Sequence, residues 1–255
     1  MYEGEEEGRW KMEAYFSAHP LKPFIPYSRQ HAIILFIMLV GIVFLYQYQD
    51  VLRQNEWNIT VRYAIAILFI GSEIGLHMWE WKAGIFELAT SLPFELCTIS
   101  LLLASIMIVT KSYRIYEIVF FTGIIGASQA ILTPNLQYAF PHFRFIEYFI
   151  AHILLIWAPL FMTWVEGYRP TVQSIKRTMI FLNILIPIVS FVNYKTGGNY
   201  MFLAHKPETA SLLDMLGPHP YYIISLELAA LIGCFILYMP FAKREGHTHK
   251  ESLGS

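Results

Sequence analysis

The stretch SLPFELCTIS, residues 91–100, sets a proline, a carboxylate and a thiol into otherwise apolar sequence. Cys97 is the residue there that could do nucleophilic chemistry, because a thiol beside an imidazole ionises to a thiolate. His152, at the end of FPHFRFIEYFIAH, is the histidine deep in an apolar run at a similar depth. The pair is far apart in sequence, so spacing alone is weak support for a Cys–His dyad. Pro93, one turn before Cys97, is expected to kink the helix carrying both and to free a backbone carbonyl beside the thiol. Tyr148 and His152 share a helix face at i, i+4, so a partner orienting the imidazole is expected from another helix, with Glu73 and Gln129 the candidates. The second cysteine, Cys234, lies beside Gly233 in apolar sequence and reads as an ordinary buried thiol.

A different chemistry is suggested by GSEIGLHMWEW, where Glu73, His77 and Glu80 fall on one helical stripe. Carboxylates with an imidazole can bind a metal if neighbouring helices add ligands. No second ligand pair stands out, and His77 and Glu80 fall near a span end where water reaches them. Neither a metal nor a cofactor is therefore expected.

These residues must be positioned by membrane helices. Of the 255 residues 56% are hydrophobic and 15% charged, whereas a soluble domain carries about a quarter charged residues. Several apolar runs reach the ~20 residues that cross a bilayer core. Segments of alternating polarity, the mark of a membrane β-barrel, are absent. The expected fold is an all-α polytopic bundle of about seven spans, at roughly 30–48, 60–80, 86–109, 114–133, 144–166, 177–194 and 219–241. Residues 1–28 read as an acidic tail and an interfacial segment, 29–242 as one transmembrane domain, and 243–255 as a disordered tail. The acidic opening lacks the basic start of a signal peptide. A net charge of -1 offers no field for nucleic acid.

Arg53, Lys111, Arg114, Arg169, Lys176, Arg177, Lys243 and Arg244 fall on one side of these spans; Lys22, Arg29, Lys82, Arg144, Lys195 and Lys206 fall on the other. The bias is modest, and by the positive-inside rule it places the N-terminus outside and the C-terminus in the cytoplasm. At 1.5 Å per residue, Cys97 then lies about 16 Å from the outer start of its span and His152 about 12 Å from the start of its own. Glu73 and Glu227 lie roughly 10 to 12 Å deep, with Gln129 nearer the surface and Glu95 within a turn of Cys97. Ionisable groups in lipid cost about 2.5 to 3.5 kcal/mol each on insertion scales. Helix–helix hydrogen bonds account for one or two of them, but their common depth suggests a polar cavity open to the outer side. The loops 132–143 and 193–222 could roof it, the second carrying Asn199 and His205.

The motifs LPFELC (92–97), GIIGASQAILTP (123–134), FPHFRFIEYFIAH (140–152), NYMFLAHKP and LGPHPYY resemble those of the YwaF-like bacterial integral membrane proteins. These in turn are similar to the animal family called transmembrane protein 164. The resemblance covers most of the chain from the second span to the seventh. It implies a multi-span fold and, for the animal members, phospholipid acyl transfer through a cysteine and a histidine. The motif cysteine matches Cys97 and the motif histidine matches His152.

Two functions follow. One is a membrane-embedded lipid acyltransferase or (thio)ester hydrolase of the bacterial plasma membrane. Its substrate is a membrane lipid, Cys97 is the nucleophile and His152 the base, and Glu73, Glu95, Gln129, Asn199, His205 and Glu227 give support. The other is a transporter or small-molecule-binding protein whose polar cavity uses Glu73 and Glu227, which a Cys–His enzyme does not obviously need.

Overall fold

The computed structural model describes residues 13–206 and 217–251. Its long helices are α1 (Arg29–Gln47), α2 (Asn55–Ala83), α3 (Leu96–Thr110), α4 (Tyr113–Leu132), α5 (Phe143–Trp164), α6 (Val172–Thr196) and α7 (Tyr221–Glu251). A one-turn helix, Gln49–Leu52, and a 3-10 turn, Tyr200–Phe202, complete the set. The expected all-α architecture is the observed one, and among the described residues the only β pairing is an isolated bridge between Pro23 and Tyr138. Six helices are long and apolar enough to cross a membrane, while α3 is apolar but only 15 residues long. Helix α7 continues to Glu251, past the boundary at 242 where a tail was expected. The acidic opening and residues 252–255 lie outside the described residues, as does 207–216 of the long loop.

The third span differs from its expected form. Residues 84–95 are not helical, and the helix begins only at Leu96. Gly84 ends α2 in the left-handed conformation (φ 70°), which glycine adopts without a Cβ penalty. Pro93 then disfavours helix at Leu92 and supplies no N–H of its own. Pro93 therefore stops the chain from becoming helical too early; it does not kink a helix already formed. Glu95 is the N-cap, with extended backbone (φ -70°, ψ 144°). Cys97 consequently sits in the first turn of α3, near its start and not half-way along a span.

Helices α4 and α5 form the centre. In α5, 78% of the apolar window is buried by protein, against 11% in α1 and 17% in α6 and α7, so those outer helices turn most of their surface to lipid. Helix α5 packs on α1, α2, α3 and α4, and α4 also packs on α6 and α7. Gly123 makes the central contact possible, since a Cβ built there would lie 2.9 Å from the Leu155 carbonyl oxygen. Small residues allow such close approach where no hydrophobic force drives helices together. α1 and α2 both lean on α5, leaving an apolar cavity of about 520 Å³ bordered by Val40, Leu68, Leu154 and Trp157.

Candidate active site

Cys97 is half-buried at the start of α3. Its Sγ lies over Gly126 of α4, where a built Cβ would come within 3.8 Å of the sulfur. No side chain caps the first turn of α3, so its leading backbone N–H groups keep the partial positive charge of a helix N-terminus beside the thiol. The Glu95 carboxylate is within electrostatic reach of Cys97, and its Oε2 accepts from the Met201 N–H at 3.1 Å.

His152 is buried one helix away, on α5, which packs against α3. Its Nδ1 lies 2.6 Å from the Tyr148 carbonyl oxygen. A carbonyl can only accept, so Nδ1 carries the hydrogen, and in the neutral ring Nε2 carries the lone pair. The orienting group is thus the backbone one turn earlier on the same helix. It is neither Glu73 nor Gln129: the first is engaged elsewhere, and the second is exposed. The Tyr148 ring lies tilted against the imidazole, 4.2 Å between centroids and 35° between planes. Its hydroxyl donates to the Ala130 carbonyl at 3.0 Å, and the phenol is within electrostatic reach of Cys97. Among the described residues, no hydrogen bond links the thiol directly to the imidazole.

The loop 199–206 is fastened to the segment leading into Cys97. The Tyr200 hydroxyl donates to the Leu88 carbonyl at 2.9 Å and accepts from the Leu92 N–H at 2.8 Å. Asn193 holds the same residue through its backbone, accepting from the Tyr200 N–H at 2.8 Å and donating to its carbonyl at 3.0 Å. Asn199 and His205 organise the loop itself. Asn199 Oδ1 accepts from the N–H groups of Ala204 and His205, each at 3.0 Å, and Nδ2 donates to the His205 carbonyl at 2.8 Å. Met201 and Phe202 are both held at positive φ (55° and 53°), a region that bulky residues seldom occupy.

The remaining residues singled out in the sequence do not converge on the thiol. Glu73 and Glu80 bracket His77, each 3.2 Å from one ring nitrogen. Among the described residues no group of three His, Cys, Asp or Glu side chains is placed to hold a metal ion. Arg144, at the start of α5, pairs with Glu147. It is within electrostatic reach of both Glu73 and His152. Among the described residues the Gln129 side chain makes no hydrogen bond, while its backbone carbonyl accepts from Thr133. In α7, Glu227 Oε1 is buried without a hydrogen-bond partner among the described residues. The apolar cavity between α1 and α2 contains none of these groups.

The profile of the TMEM164 family matches residues 26–238, which includes every helix described above as far as the body of α7. The chain belongs to the TMEM164 family. It is also similar to an uncharacterized protein of Treponema pallidum (strain Nichols), 23% identical over 180 residues, covering 71% of this chain and 74% of that one. No solved structure matches it.

Three polar groups of this TMEM164-family chain had been given no role from the sequence. His31, fully buried, accepts from the Tyr27 N–H through Nδ1 at 2.9 Å and donates from Nε2 to the Ile131 carbonyl at 2.7 Å. Both its ring nitrogens are committed, so it is a clasp between α1 and α4. Glu117, also buried, pairs with Arg177 and accepts from Ser174 Oγ at 2.8 Å, fixing α6 to α4. Arg62 donates from Nε to the Ile108 carbonyl at 2.6 Å and also to the Val109 carbonyl, satisfying the last turn of α3. A signal for Glu117 was present: it is a lone carboxylate within RIYEIVFF. Nothing local identified its partners, which come from another helix.

Proposed function

We propose that this chain is a membrane-embedded lipid acyltransferase or lipid (thio)ester hydrolase. The observation that carries the reading is the state of His152: Nδ1 is pinned to a carbonyl, leaving Nε2 as a base on the helix packed against Cys97. Membership of the TMEM164 family supports it, since the resemblance implies acyl transfer through a cysteine and a histidine at these positions.

In the proposed reaction His152 Nε2 takes the thiol proton as Cys97 Sγ attacks the ester carbonyl of a membrane lipid. The backbone N–H groups in the first turn of α3 face the developing oxyanion. The imidazolium returns its proton to the departing lipid oxygen, leaving an acyl thioester on Cys97. A hydroxyl of a second lipid, or water, then attacks the thioester with His152 again as base. The thiol–imidazole contact tightens when substrate enters, as catalytic contacts often do. Glu95 and Asn199 act on this site through the loop they hold. The end of the bundle carrying Cys97 is assigned to the outer side on a modest bias, with Arg53, Lys111, Arg114, Arg169, Lys176, Arg177, Lys243 and Arg244 at the other end against Lys22, Arg29, Lys82, Arg144, Lys195 and Lys206 at this one.

The test is mass spectrometry of the purified protein after incubation with a phospholipid. The expected result is an acyl adduct on Cys97 that is absent from Cys97→Ser and builds up at least ten-fold more slowly in His152→Ala. Folded protein that processes lipid with Cys97 replaced would overturn the proposal. A second reading, solute binding or transport, is favoured by the unpartnered Glu227 oxygen. It predicts a solute whose binding is lost in Glu227→Gln and retained in Cys97→Ser.

A further inference from the structure

We infer that Tyr148 is a positioning residue for the base, holding His152 in one tautomer through its carbonyl and stabilising the imidazolium through its ring. The inference rests on the Cys–His reading and adds a residue that the dyad itself does not require.

Tyr148 meets the imidazole in two ways. Its carbonyl takes the Nδ1 hydrogen at 2.6 Å. Its ring lies against the imidazole at 4.2 Å, close enough for the π face to favour a cation. Both interactions strengthen when Nε2 gains a proton, because Nδ1–H becomes a charge-assisted donor and the ring becomes cationic. Both therefore favour the thiolate–imidazolium state over the neutral pair. The tyrosine is itself fixed, by its hydroxyl on the Ala130 carbonyl at 3.0 Å and by the Arg144 guanidinium 5.8 Å from its ring centroid. A leucine would pack in the same space without a π face to offer.

The test reads the rate at which Cys97 of the full-length protein in detergent adds to a small lipophilic maleimide. The thiolate sulfur bonds to the alkene carbon and a proton completes the addition, so no further reagent is needed. Cys234 labelling and thermal unfolding report whether each variant is folded. Tyr148→Leu, with Tyr148→Met as a second truncation of the ring, should slow Cys97 labelling roughly ten-fold. Tyr148→Phe keeps the π face and should restore most of the rate. In a His152→Ala background the Tyr148→Leu change should have no further effect, because the two act as one unit. Slowing that persists in His152→Ala, or failure of Phe to rescue, would mean that Tyr148 only packs and would overturn the inference. Slow labelling in His152→Ala with Tyr148→Leu at the wild-type rate would overturn it while leaving the dyad standing. Labelling unaffected by His152→Ala would remove the dyad itself, and the positioning role with it.

Discussion

Tyr148 accepts the Nδ1 hydrogen of His152, four residues on, at 2.6 Å. The contact stays within one turn of α5, so orienting this imidazole requires no partner from elsewhere in the bundle. An imidazole aligned by its own helix keeps its geometry when neighbouring helices shift. That would suit the proposed reaction, in which a lipid enters between them.

One carboxylate adds to the hold on loop 199–206. Replacing Glu95 by Ala removes the acceptor for the Met201 N–H, and Met201 and Phe202 no longer have that restraint on their positive φ. Backbone amides of residues 199–203 should exchange with deuterium roughly ten-fold faster, in line with loss of a hydrogen bond to a charged group. Glu95→Gln keeps an oxygen acceptor and should fall between the two. Equal exchange in Glu95→Ala and wild type would show that Tyr200 and Asn193 hold the loop alone.

The centre of the bundle should be intolerant of one methyl group. Gly123→Ala would put a Cβ 2.9 Å from the Leu155 carbonyl oxygen, forcing α4 and α5 apart. Overpacking of this kind costs about 1 to 3 kcal/mol. Thermal unfolding in detergent should show a lowered midpoint, whereas Gly71→Ala, whose Cβ would meet nothing within 4 Å, should show none.

Stability should fall in mild acid through His142, the N-cap of α5. Burial pushes its imidazole below its ordinary 6.5, with Arg144 adding to the effect and the hydrogen bond to the Ser17 carbonyl opposing it. The neutral ring accepts the Arg144 N–H on Nδ1 and donates from Nε2 to Ser17; a second proton would destroy the acceptor. The unfolded chain binds that proton more readily, so stability is full above the unfolded value and is lost as pH falls below it. Unfolding midpoints between pH 7.5 and 5.5 should drop more steeply in wild type than in His142→Asn. Parallel slopes would assign the pH dependence to other groups.

Helix type and approximate span positions were legible because apolar runs of membrane length have few alternatives in lipid. The start of α3 was not. Residues 85–94 look apolar enough to be helix, and a proline in such a run reads equally well as a kink or as a stop. Only the contacts of Tyr200 with Leu88 and Leu92, from a residue more than a hundred positions away, show that the segment is held in another conformation. Cys97 and His152 could be singled out by residue type, whereas the depth expected for Cys97 was not legible, because its helix begins only at Leu96. The partner of His152 was not legible either, because a backbone carbonyl leaves no trace in side-chain identity. Glu73 illustrates the opposite error: its depth suggested a shared cavity, yet its contacts run along its own helix to His77.

The 15 residues of α3 span about 22 Å, against about 30 Å of hydrocarbon. A helix this short invites the bilayer beside it to thin, since mismatch is relieved more cheaply by the lipid than by exposing backbone. Thinning at α3 would lower the plane of the ester linkages toward the level of Cys97. A phospholipid resting there would offer its carbonyl to the thiol while its tails stayed in the membrane. The short helix would then shape the membrane as well as the protein, delivering the reactive bond by a dimple instead of by extracting a lipid.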